Sequence, residues 1–370
     1  MISFGEGVGP LRLGMNVYQT LDMLNDLYPR LNVEIVFPHP HDVMTENIHF
    51  VLVDWGIRLH FLPLSQTLVL IDIFDTSLLN YYINGTYVSE KSMPTTLEML
   101  QKSLGPTFPG TFVEDTKYLL RLDGAGLLFC VPSKYQHIYS DGKHLPVTLP
   151  DGKSVPLQRI YVCPVDFDLL QPASFPDDNS TMTITTPSTP HVSVHMNATS
   201  SPSVSIADIG TIALGATPQD IISLLGDPSL ASLVSNTNYS TRYEYKQHGF
   251  ELYFTKRHRL YRIVLHNNLP GHQDFGVYTR CPFSLILPLE SNKTKSNGVS
   301  GAESAKPEHS QKTITFSSKW KTVAGALQQL RDVAESTPAI KTPPAGSPFP
   351  ATHLYGYPEV SNTSKRNIFI

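Results

Sequence analysis

IGTIALGATPQDIISLLGDP, residues 209–228, contains the start, apolar face and stop of one helix, and the strands that follow it decide the fold. Thr217 suits a helix N-cap, Pro218 the first helical position, and Asp220 the positive end of the helix. Ile221, Leu224 and Leu225 fall on one face, and Gly226-Asp227-Pro228 stops the helix. Downstream, Arg242–Tyr245, Phe250–Phe254 and Leu260–Leu265 read as three antiparallel strands, with His248-Gly249 at a turn. Residues 206–266 are therefore an α-β-β-β unit.

The same order recurs on either side. Pro94 precedes Leu97, Leu100 and Leu104, Gly105-Pro106 ends that helix, and Tyr118–Leu122 turns through Gly124 and Gly126 into Leu127–Cys130, with Leu157–Val162 as the last strand. The helix-stop and inter-strand glycines lie 21 residues apart here (105 to 126) and 23 apart in the first copy (226 to 249). At the N-terminus, Leu13-Gly14-Met15-Asn16 opens a helix with Val17, Leu21 and Leu24 on one face. Strands Ile48–Val53, Ile57–Leu62 and Leu68–Phe74 follow, with Trp55-Gly56 at a turn. A fourth copy starts at Trp320, with Val323, Leu327 and Leu330 on one face, and runs into a Pro-rich stretch. The fold class is α+β: tandem modules, each an antiparallel sheet with a helix packed on one face. The expected division is a first module at 1–78, a second at 90–168, a Ser/Thr/Pro-rich linker at 169–205, a third module at 206–290, a polar linker at 291–312 and a partial fourth module at 313–370. A unit of ~60 residues buries little surface alone, so neighbouring copies are expected to share sheet faces or edges.

Composition excludes several function classes. With 41% hydrophobic residues the 370-residue chain can fill a core in each module, and a net charge of −4 offers no basic stripe for nucleic acid. Cys130, Cys163 and Cys281 are odd in number and widely spaced, with neither a disulfide framework nor a zinc pattern. No signal-peptide core or ~20-residue apolar run is present, so a cytoplasmic location is expected and the six N-x-S/T sequons are read as chance.

No catalytic, cofactor-binding or metal-binding residue is nominated, and no cofactor is expected. Gly5-Glu-Gly7-Val-Gly9 lacks the preceding strand and the βαβ context of a dinucleotide loop, and reads as a flexible leader. His39-Pro-His41 and His191-Val-Ser-Val-His195 lack the three or four converging ligands of a metal site. Two stretches are candidate contact sites. Lys256, Arg257, His258 and Arg259 read as a basic hairpin tip suited to acidic lipid or an acidic partner. The segment 266–283 offers His266, Asn268, Pro270, Gly271, His272, Tyr278 and Arg280 around a Pro-Gly turn, as either an interaction loop or a structural connector.

That segment, VLHNNLPGHQDFGVYTRCPF at 264–283, together with SLGPTFPGTF at 103–112, LGM at 13–15 and HLYGYP at 353–358, resembles the phagosome assembly factor family. The resemblance implies a non-catalytic cytoplasmic protein that joins a β-propeller autophagy protein at the forming autophagosomal membrane, meeting phosphoinositide through that partner. It offers no catalytic residues to carry over. A Golgi-to-plasma-membrane trafficking adaptor is the alternative, with Golgi the alternative location; an enzyme with a pocket between modules is a third reading. The LGATPQDIISLLGDP pattern is also similar to helix-plus-sheet units of β-lactamase-inhibitor-like domains and small outer-membrane assembly lipoproteins.

Overall fold

The computed structural model describes residues 1–39, 42–89, 91–105, 107, 109–114, 116–139, 145–167, 169, 192–195, 203–207, 209–233, 239–289, 310–315, 318, 321–326 and 368–369. The chain forms two compact units, Met1–Ser188 and Thr189–Ile370.

In the first unit, β1 (Ile2–Ser3), β2 (Gly7–Val8) and β3 (Leu11–Arg12) precede α1 (Val17–Leu27). Asn16 caps α1 in a full capping box with Gln19, and the helix buries Val17, Thr20 and Leu24. Then come β4 (Val33–Val36), β5 (Ile48–Leu52), β6 (Ile57–Phe61) and β7 (Leu68–Ile73), followed by β8 (Tyr81–Ile83) and β9 (Thr86–Ser89). α2 (Leu97–Leu104), capped by Thr96, leads to β10 (Thr111–Glu114), β11 (Lys117–Leu122), β12 (Ala125–Cys130), the short α3 (Gln136–Tyr139) and β13 (Leu157–Val162). The two modules share one eight-stranded sheet, ordered β10-β11-β12-β13-β7-β6-β5-β4. Its seam is the antiparallel pairing of β13 with β7, Ile160 opposite Ile73 and Val162 opposite Ile71. One face of the seam is apolar: Phe50, Leu52, Leu59, Phe61, Ile71 and Ile160 are fully buried.

The second unit contains β14 (Val192–His195), β15 (Ser203–Ile206), β16 (Gly210–Ala213), α4 (Pro218–Leu225), β17 (Leu230–Ser232), β18 (Tyr239–Tyr245), β19 (Phe250–Thr255), β20 (Leu260–Leu265), β21 (Phe283–Leu289), β22 (Ser310–Thr315) and β23 (Ile368–Phe369). One core runs through it, from Val192 and Val194 through Ile221, Tyr245, Phe250, Phe254 and Leu265 to Phe283, Ile314 and Ala326.

Each unit repeats the other's plan. The order β3-β2-β1-β8-β9 in the first is matched by β16-β15-β14-β21-β22 in the second. In both the central pair is parallel, β1 with β8 and β14 with β21. Gly14 N–H donates to Leu68 O and Leu68 N–H to Met15 O; Gly215 N–H donates to Leu260 O and Leu260 N–H to Ala216 O. The pairing of β13 on β7 recurs as β23 on β20, Leu265 opposite Ile368. A further bond is threefold: Phe74, Cys163 and His266 each donate their N–H to the carbonyl of a hairpin glycine, Gly56, Gly124 and Gly249. Those glycines have φ of 62°, 76° and 76°, where a side chain is disfavoured.

Several elements differ from the sequence expectation. Each of the first three modules has four strands rather than three, because β4, β10 and β17 are short edge strands without a clear apolar alternation. Gly5-Glu-Gly7-Val-Gly9 is no flexible leader but part of the β1-β2-β3 meander, with Gly5 N–H bonded to Gly124 O. Residues 192–195 and 203–205, inside the expected linker, belong to β14 and β15; the alternation of Val192-Ser-Val194-His-Met196 leaves room for a short edge strand, but β14 is a central strand with Val194 fully buried. Residues 79–89, outside the first module as drawn, supply β8 and β9, and β22 begins at Ser310, inside the expected polar linker. The turn between β11 and β12 is made by Asp123-Gly124, and Gly126 lies within β12. Leu327, Leu330 and HLYGYP at 353–358 lie outside the described residues.

Candidate functional site

The 266–282 connection leaves β20 and returns to β21. His266 N–H donates to Gly249 O, Thr279 N–H to Lys246 O and Cys281 N–H to His266 O, which fastens both ends to the β18–β19 turn. Asn268, at φ 42°, and Gly271, at φ 79°, reverse the chain between them. His266, Asn268, Tyr278 and Arg280 are all buried, and their groups serve the fold. On β19 beneath them, Glu251 Oε1 lies 3.2 Å from His266 Nε2 and accepts from the Tyr278 hydroxyl; Glu251 Oε2 accepts from the Tyr253 hydroxyl. The His266 and Tyr278 rings stack with centroids 3.8 Å apart. Arg280 Nε donates to Asn267 O at 2.8 Å, and Gly276 N–H to Asn268 Oδ1 at 2.7 Å. Pro270 is also buried, His272 is half-buried with its Nδ1 3.4 Å from Asp274, and Gly271 is exposed. Of the loop residues expected to offer contacts, most are turned inward.

Burial alone would raise the Glu251 pKa, but the bonds from His266, Tyr253 and Tyr278 outweigh it and hold the carboxyl at about 2. Burial, and then the bond to Glu251, pushes Tyr253 up to about 12 and Tyr278 higher still.

The basic stretch lies at the β19–β20 turn, as its position in the sequence implies. Lys256, Arg257, His258 and Arg259 are all exposed, with His258 in the left-handed region at φ 54°. Arg259 Nη1 donates to Gly215 O at 3.1 Å, and Arg262 lies over the Tyr253 ring at 5.1 Å. The outward charge is therefore carried by Lys256 and Arg257 beside His258.

A second polar cluster sits on the shared sheet of the first unit, on the face opposite the apolar one. Cross-strand registers place Arg58 opposite Asp72, Asp72 opposite Tyr161, and His49 opposite His60. Arg159 Nη1 pairs with Asp72 Oδ2 at 3.1 Å, Arg58 lies 5.6 Å over the Phe74 ring, and the two imidazoles meet edge-to-face at 4.6 Å. Burial, then the nearby His49, Arg58 and Arg159, drives the His60 pKa down to about 3. Burial raises Asp72 against the pull of Arg159 and Arg58. Sequence reading passed over this cluster because its members are scattered across four strands. The available signal was Arg58-Leu-His60 and Asp72 alternating with apolar residues in strands otherwise fit for a core.

Among the described residues no group of three or more His, Cys, Asp or Glu is placed to hold a metal ion. His39 lies 4.0 Å from Asp42, His195 is in β14, and His41 and His191 lie outside the described residues. No described helix is long and apolar enough to cross a membrane.

Fold and sites together define a duplicated α+β sheet protein with a buried hydrogen-bonded network around Glu251 and a part-buried ion pair, Arg159 with Asp72, on its shared sheet. The family described as phagosome assembly factor 1 matches residues 7–362, and the chain belongs to that family. It is 25% identical to the PHAF1 protein of Arabidopsis thaliana, over 98% of this chain and 89% of the relative. The PHAF1 protein of Drosophila melanogaster is 23% identical over 96% of this chain and 85% of its own length, and that of Caenorhabditis elegans 25% over 74% of each. No solved structure matches.

Proposed function

We propose that this chain is a non-catalytic interaction protein of autophagosome assembly, acting in the cytoplasm with a β-propeller partner at the forming autophagosomal membrane. Membership of the phagosome assembly factor family across 7–362 carries the reading. Two features support it. Glu251, His266 and Tyr278, the group that most resembles an acid–base set, is buried and bonded within itself, which suits a scaffold better than proton transfer. The exposed tip at Lys256–Arg259 offers positive charge to an acidic partner surface or to phosphoinositide presented beside the partner.

Affinity capture of the tagged chain from starved cells tests the proposal. A propeller protein of the autophagy machinery is expected among the captured proteins. Recovery of neither a propeller nor any autophagy component would overturn it.

A further inference from the structure

The eight-stranded sheet of the first unit ends at β4 (Val33–Val36). Its ladder to β5 runs from Val33 opposite Leu52 to Val36 opposite His49 without a register shift. An antiparallel strand turns alternate N–H and C=O groups away from its neighbour. On the outer side of β4 those groups have no partner among the described residues. Proteins normally blunt such an edge with Lys, Pro, a bulge or shortness. The other module edges follow that rule: β10 has a bulge between Phe112 and Glu114, and β17 has only three residues. Within β4 there is neither Pro nor Lys, and exposed apolar side chains flank it. Val36 and Phe37 stand exposed at one end. At the other, Val53 is exposed, and the exposed Tyr28 ring meets Trp55 edge-to-face at 4.7 Å.

We propose that β4 pairs antiparallel with β4 of a second copy of this chain, in a twofold dimer whose sheet continues through both copies. The limits of the open stretch set the register. Asn32 N–H is taken by Asp54 Oδ2 at 3.1 Å, and Pro38 has no N–H, so the new ladder runs over Val33–Phe37 and is centred on Ile35. Ile35 then lies opposite Ile35, Val33 opposite Phe37, and Glu34 opposite Val36. Every residue meets one from the same face of the sheet, and each apolar residue on the Ile35 side meets another. Charge supports this register, because the one that sets Glu34 opposite Glu34 brings like charges together. Antiparallel order also carries the Phe37 end of each copy to the Val53, Tyr28 and Trp55 end of the other, so both exposed apolar ends are covered twice. A second copy is favoured over an unrelated strand because these five residues complement themselves.

Sedimentation velocity of the full chain between about 1 and 100 µM tests the proposal. Mass is expected to rise from 41.1 kDa toward twice that value, with a dissociation constant in the micromolar range for so short a ladder. A chain that stays monomeric throughout overturns it. Val36 and Glu34 are both exposed, so charges exchanged there probe the register without entering the core. Val36→Glu, facing Glu34 of the other copy, is expected to weaken dimerisation about tenfold, since symmetry makes the repulsion act twice. Val36→Lys is expected to leave it equal or tighter. Combining Val36→Glu with Glu34→Lys is expected to restore it. Equal effects of the two single variants, or no restoration in the double variant, would overturn the pairing. If the chain captures a propeller partner from starved cells yet stays monomeric, this inference falls and the proposed function stands.

Discussion

Because three side chains converge on Glu251, its carboxylate is favoured in the folded state and gains nothing comparable when unfolded. Its folded pKa of about 2 lies below the usual carboxylate value, so its contribution is complete above pH ~4.5 and is lost as pH falls through 2. Glu251→Gln is expected to lower unfolding free energy at pH 7 by on the order of 3 kcal/mol, with the gap to wild type closing near pH 2 in urea titrations. His60 acts at milder acidity. Its folded pKa of about 3 is below the unfolded value, so stability is lost as pH falls from about 6.5 toward 3, by up to ~1.4 kcal/mol per pH unit. His60→Leu is expected to flatten that part of the pH–stability curve. The donor-rich loop was legible in sequence; its anchor was not. Glu251 precedes His266 by 15 residues and Tyr278 by 27, on another strand, and only the β19–β20 register brings them together.

At the scale of elements, what the sequence displayed best was punctuation. Asn16 and Thr217 cap helices where the sequence places the helix starts, Thr96 caps the helix that follows Pro94, and Thr217→Ala should cost ~1 kcal/mol in thermal melts. The hairpin glycines were also visible, but not why they are fixed. A Cβ on Gly249 would lie 2.3 Å from Thr279 O, against the loop that Glu251 anchors. Gly249→Ala is expected to cost at least about 2 kcal/mol, from the positive φ together with the clash, and to loosen 266–282 toward proteolysis. Two-residue strands such as β1, β2 and β3 carry too few positions to show an alternation, which is why the meander read as a leader. The hairpin tip was legible because four consecutive basic or imidazole side chains between two apolar strands have nowhere to go but outward. Reversing charge at Lys256 and Arg257 should reduce recruitment to acidic vesicles in the presence of the partner, measured by co-sedimentation; unchanged recruitment would remove the tip from the interface.

At the scale of the whole molecule, the three complete α-β-β-β copies and the partial fourth miss the larger period. Each unit surrounds its first module with three strands before the helix and two after the hairpins, and those five form their own sheet. The sequence hid this because the outer strands are short in the first unit and lie in Ser/Thr-rich sequence in the second. Since each unit has its own core, residues 1–188 expressed alone are expected to melt cooperatively with β-rich circular dichroism.

The parallel pairs β1·β8 and β14·β21 also impose a timetable on synthesis. Ile2 finds its parallel neighbour only when Ile83 has been made, and Val192 only when Phe283 has. At ~5–20 residues per second, each opening strand waits several seconds with one edge bare, long enough for a ribosome-associated chaperone to engage it. The strands of the shared sheet, by contrast, have all been made before Val192 is added. A nascent chain halted in its second half should therefore carry a folded first half, and the bare β14 edge would be what quality control detects.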